Sequence, residues 1–185
     1  MKKGLIILIA AVFLVALWGF SGYNGLVTLN ENADAQWAKV ETQYQRRFDL
    51  IPNLVSSVKA VLNQEQAVFG EIAEARTRYA GAQTPDQRAA AASQVESALG
   101  RLLVIVENYP QLQSAATVQD LMAQLEGTEN RVAVERTRFN DTVREYNTTI
   151  KRFPRNILAA LTGFNNRAYF EAASGAEQVP TVQFE

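Results

Sequence analysis

Few side chains in this 185-residue chain can do chemistry, because it contains neither histidine nor cysteine. That removes Ser–His and Cys–His nucleophile pairs, imidazole and thiolate metal sites, and disulfides. Carboxylate, lysine, tyrosine or serine chemistry is left. The carboxylates recur in pairs three residues apart: Glu31 with Asp34, Glu71 with Glu74, and Glu126 with Glu129. On a helix that spacing puts both groups of a pair on one face. Four-helix carboxylate-bridged metal proteins, however, include Glu-x-x-His pairs in their sites, and no histidine is available here. Arg76, Arg131 and Arg138 lie among the acids, as in solvated ion pairs on charged helix faces. Glycine-rich phosphate loops, Walker motifs and G-x-S-x-G elbows are also absent. The expectation is no catalytic residue, no metal site and no cofactor.

Charge and hydropathy set where such a chain would work. Eighteen Lys and Arg against nineteen Asp and Glu leave a net charge of -1, with no basic excess to favour nucleic acid. Only Lys2 and Lys3 are charged among the first thirty residues, and nothing from Gly4 to Gly22 carries charge. A stretch of that length crosses a hydrocarbon core of about 30 Å at 1.5 Å per residue. Leu5, Ile9, Phe13, Leu17 and Trp18 mark the span, with Trp18 and Tyr23 at the outer end where amphipathic rings suit the headgroup level. The positive-inside bias of Lys2 and Lys3 keeps the N-terminus cytoplasmic and sends the body outward. A cleaved signal peptide is the competing reading, but the apolar run exceeds its usual core and no A-x-A site follows. Gly19, Gly22 and Gly25 recur every third residue, suited either to close helix approach or to a flexible exit from the membrane.

The body beyond residue 28 reads as helix throughout. Apolar positions from Trp37 through Val40, Tyr44, Phe48, Ile51, Val55, Val58 and Leu62 to Phe69 and Ile72 step by threes and fours, with Glu65 in one missed place. Pro52 is expected to kink this stripe. The Gly81–Asp86 stretch reads as a loop in which Thr84 caps the next helix and Pro85 takes its first position. That helix buries Val95, Leu99, Leu102, Leu103 and Val106 and ends before Asn108-Tyr109-Pro110. Residues 111–116 look like a linker into a last long helix from about Val118 to Arg152, with Thr128 and Glu135 as polar seam positions. A short helix over 156–161 stops at Gly163. The expected fold class is all-α: a single N-terminal transmembrane helix over 1–27, an antiparallel coiled-coil-like bundle of three to four long helices over 28–172, and a mobile tail over 173–185.

Two patches combine aromatics, cations and an amide around a proline: Arg46 to Asn53, and Tyr146 to Asn156. Phe48, Asp49, Pro52, Asn53, Tyr146, Asn147, Phe153 and Pro154 are therefore the candidate interaction surface, with burial of the aromatics as the competing account. Two N-x-T sequons, at Asn140 and Asn147, are read as coincidence on a helix.

One family shares these elements in order. Arg47-Phe48-Asp49-Leu50-Ile51-Pro52-Asn53-Leu54-Val55, Glu107-Asn108-Tyr109-Pro110, Glu129-Asn130-Arg131, Arg138-Phe139-Asn140, Tyr146-Asn147-Thr148-Thr149-Ile150, Phe153-Pro154-Arg155-Asn156, Gly163-Phe164 and Tyr169-Phe170-Glu171 together resemble the LemA family of bacterial membrane proteins. Phe139 stands where many members have Tyr. The resemblance implies a membrane-anchored helical domain on the outer side of the bacterial cytoplasmic membrane, periplasmic or extracellular, and supplies no catalytic residue or ligand. The expected function is a non-enzymatic scaffold or interaction protein that forms a homo-oligomer or organises another membrane protein, with the lipid bilayer as a constant partner. A carboxylate- or metal-dependent enzyme and a membrane-shaping protein are the alternatives.

Overall fold

The computed structural model describes residues 2–59 and 66–170. Among them the chain is all-α, with α1 (Lys2–Lys59), α2 (Gln66–Gly81), α3 (Pro85–Glu107), α4 (Pro110–Gln113), α5 (Ala116–Lys151) and α6 (Arg155–Thr162). Local rules place most boundaries. Thr84 and Gln87 form a reciprocal capping box, with the Gln87 N–H 3.2 Å from Thr84 Oγ1 and the Thr84 N–H 3.3 Å from Gln87 Oε1. Tyr109 is held extended by the proline that follows it, so α3 stops at Glu107. The stretch expected as a linker contains one helical turn, α4, which starts on Pro110. Gly163 closes α6 with φ +80°, a backbone state in which L side chains are strained.

Pro52, expected as a kink, lies inside α1, which continues through it to Lys59. Phe48, Ile51, Leu54 and Val58 are all buried on both sides of the proline, and their shared packing offsets the missing hydrogen bond, which by itself costs about 3 kcal/mol. The long stripe divides. Tyr79 of α2 packs edge-on against Phe48 of α1 with ring centroids 4.9 Å apart, so α2 folds back on α1 instead of extending it. Leu62 and Glu65 of that stripe, and the tail from Ala173, lie outside the described residues.

The chain divides into two compact units, Met1–Lys39 with Glu135–Tyr169, and Val40–Val134 with Phe170–Glu185. In the first, α1 and α5 run antiparallel: Gln36 meets Glu135, Trp37 meets Phe139 at 5.3 Å, and Leu26 packs with Tyr146 and Ile150. The stretch of α1 carrying Leu5, Ile9, Phe13, Leu17 and Trp18 is exposed along its length, and it is long and apolar enough to cross a membrane. Isolated exposure of that many large apolar groups would be unstable in water, whereas in lipid it costs nothing.

In the second unit, α2 and α3 form an antiparallel hairpin. Arg78 bonds Gln94 and Arg101 pairs with Glu71, so a step of seven residues forward on α2 is a step of seven back on α3. α3 is itself apolar enough to pass as a span, but its Val95, Leu99, Leu102 and Val106 face is buried, which marks a core helix. Tyr44, Phe48, Tyr79 and Phe170 form an aromatic cluster beside the Glu41–Arg88 ion pair.

That cluster has a titration signature. Burial pushes the Tyr79 phenol up to about 12, with the Glu41 carboxylate adding to the rise and Arg88 opposing it. An unfolded tyrosine titrates near 10. Between these values the folded state holds the proton more tightly, so Tyr79 contributes stability that is complete below pH 10 and lost as pH rises towards 12. Tyr79→Phe should remove a late tyrosinate absorbance from an alkaline titration and flatten the stability loss over that interval. An unchanged late component would refute the assignment.

Candidate interaction surface

The seam residues are tied by their neighbours. Glu135 Oε2 accepts from Gln36 Nε2 at 2.6 Å while its other oxygen pairs with Arg138 at 2.7 Å, and buried Thr128 donates its hydroxyl to the Leu125 carbonyl at 2.8 Å. Four of the six paired acids are likewise engaged: Glu129 with Arg47, Asp34 with Arg167, Glu71 with Arg101, and Glu74 with Arg78. Among the described residues no group of three or more acids converges as a metal cage would require.

The eight candidate surface residues divide by exposure. Phe48, Tyr146 and Asn147 are buried, whereas Asp49, Pro52, Asn53 and Phe153 are exposed and Pro154 is half-buried. Tyr146 and Asn147 hold the chain that follows α6. The Tyr146 hydroxyl donates to the Asn165 carbonyl at 2.9 Å, and burial raises its pKa, with Arg167 opposing and Asp34 adding to the rise. Asn147 Nδ2 donates to the Arg167 carbonyl and its Oδ1 accepts the Arg167 N–H, both at 2.9 Å. The side-chain amide thus replaces a missing strand partner for one residue of irregular backbone. A buried and doubly bonded Asn147 also leaves its sequon without room for a glycan.

Asp49 borders an open groove between α1 and α5 in the second unit, together with Arg46, Asp120, Gln124, Gly127 and Arg131. Beside it, Arg47 lies buried against Glu129, which is half-exposed. Gly127 sits in the interior of a 36-residue helix, where Gly costs about 1 kcal/mol relative to Ala. A Cβ built there would meet nothing within 4 Å, so internal packing does not demand the glycine. Close approach by something outside the chain would. Sequence reasoning passed over Asp120, Gln124 and Gly127; a lone Gly inside a run of strong helix formers was the available signal.

The LemA family's sequence profile matches residues 36–184, which reaches into both units and leaves out the apolar N-terminal stretch. The chain belongs to the LemA family. Its similar proteins include magnetosome protein MamQ of Magnetospirillum gryphiswaldense, 31% identical over 218 residues that cover 99% of this chain and 79% of that protein. Magnetosome proteins MamQ 1 and MamQ 2 of Paramagnetospirillum magneticum are also 31% identical, over 191 residues that cover 87% of this chain and 69% of theirs. The LemA match includes Asn147 and the groove residues on α5.

Proposed function

We propose that this LemA-family chain is a non-enzymatic scaffold, anchored by α1 in the cytoplasmic membrane with its helical body outside, and that its copies associate through the Gly127 groove. The carrying observation is an open helical glycine between charges of both signs: Arg46 and Arg131 with Asp49 and Asp120. A surface with two cations and two anions can oppose its own copy across a two-fold axis, each Arg meeting an Asp. The exposed apolar stretch of α1 supports the membrane attachment, and neither the family name nor the relatives' names carries a reaction.

The test is the mass of full-length protein in mild detergent, by light scattering with the detergent subtracted. A discrete assembly that Arg131→Glu shifts to monomer is expected; a monomer with no cross-linked partner in membranes would sink the proposal. Gly127→Ala adds a sharper readout. It should raise stability by about 0.5–1 kcal/mol through helix propensity while weakening the assembly. Denaturant midpoints and scattering on the same samples separate the two effects; a stabilised variant with unchanged association would place the interface elsewhere.

A further inference from the structure

We infer that α6 and the turn before it form a second membrane contact, lying in the interface of an anionic bilayer beside the exit of α1. This rests on reading α1 as a span, and it concerns the first unit alone. α6 is seated on α1 where the uncharged stretch ends: a Cβ on Gly22 would lie 2.9 Å from Leu158 Cδ2, Ala159 packs with Leu26, and Phe164 meets Tyr23 at 5.9 Å. Gly22 is therefore small to admit Leu158, a use that neither flexibility nor helix pairing in the membrane had suggested.

The opposite side of α6 is uncovered. Phe153, Ile157 and Leu161 follow one another at steps of four and are 80%, 52% and 79% exposed. Large apolar side chains that exposed in water are unfavourable, and a spacing of four puts Ile157 and Leu161 one turn apart on one face. Their location names the occupant, because the lipid surface is continuous with the Gly22 end of α1. Charge agrees. From Tyr146 to Phe170 the chain holds Lys151, Arg152, Arg155 and Arg167 and no acid, although the protein as a whole is balanced. Arg167 is turned inward to Asp34, while Lys151, Arg152 and Arg155 are exposed at the end of α5, the turn and the first residue of α6. An apolar face bordered by cations is how a short interfacial helix binds anionic lipid, the apolar groups entering the headgroup boundary and the cations meeting phosphates.

The absence of native cysteine permits a direct test. Full-length protein carrying Leu161→Cys or Ile157→Cys is labelled with a small fluorophore and reconstituted into vesicles of phosphatidylcholine and phosphatidylglycerol. Ile9→Cys reports the span, and Val104→Cys, exposed on α3, reports water. Labels at 157 and 161 are expected to be quenched by spin-labelled lipid and to be several-fold less sensitive to iodide than the label at 104. Lys151→Glu with Arg155→Glu should restore iodide access. Labels at 157 and 161 as open to iodide as that at 104 would overturn the contact, and so would protection from both quenchers, the result if protein covers the face. Iodide access at 9 would instead overturn the span, so the two failures are distinguishable.

Discussion

Replacing Phe48 by Ala is expected to cost about 3–5 kcal/mol of folding stability, the range for removing a large aromatic from a packed core. The ring is 5% exposed, lies 5.5 Å from Tyr44 and meets the Tyr79 edge at 4.9 Å, so truncation removes both its burial and its ring contacts. The void left between α1 and α2 would be lined by aromatic faces that collapse poorly. Phe48→Leu keeps most of the volume and should cost about 1–2 kcal/mol. Asp49→Ala, one residue on and exposed, should stay within about 0.5 kcal/mol. Denaturant unfolding of the three variants tests the ordering. If Phe48→Ala left stability intact but abolished association, Phe48 would be an interface residue and its burial would mislead.

Asn147→Ala should be nearly as severe for its size, about 2–3 kcal/mol. Both Asn147 hydrogen bonds go to the backbone of Arg167, and losing them leaves a donor and an acceptor of irregular chain without partners. The consequence spreads, because Arg167 also donates to Asn30 Oδ1 at 2.9 Å and pairs with Asp34, tying the segment after α6 to α1. Asn147→Asp retains the acceptor and should cost less than the alanine change. Hydrogen exchange offers a local readout: the Arg167 amide should exchange about tenfold faster or more in the alanine variant, well before global unfolding. Unchanged protection there would mean another group holds that backbone.

The elements were legible wherever local chemistry decides them. The Thr84 cap, the Tyr109-Pro110 stop and the Gly163 terminator each act within four residues, and each appears where the pattern of residues puts it. That α1 runs on past Pro52 is a tertiary matter, because the penalty of a helix-internal proline is local whereas the buried face that offsets it is not. The continuous stripe to Ile72 concealed a reversal for a similar reason. Apolar steps of three and four have the same period whether one helix continues or a second folds back, and only the Phe48–Tyr79 contact separates the two.

The candidate surface divides along the same line. Aromatic residues around a proline look alike in a sequence whether they are core or interface, and the structure buried Phe48 and Tyr146 but left Phe153 in the open. By itself the sequence determined the helical class, the uncharged N-terminal stretch, the absence of histidine and cysteine chemistry, and the family resemblance, since composition and short-range periodicity carry all four. Only the tertiary structure decided that Asn147 clamps Arg167, that Gly22 makes room for Leu158, and that Gly127 faces open space. Those depend on residues brought together from distant parts of the chain, and on empty volume, which no residue type encodes.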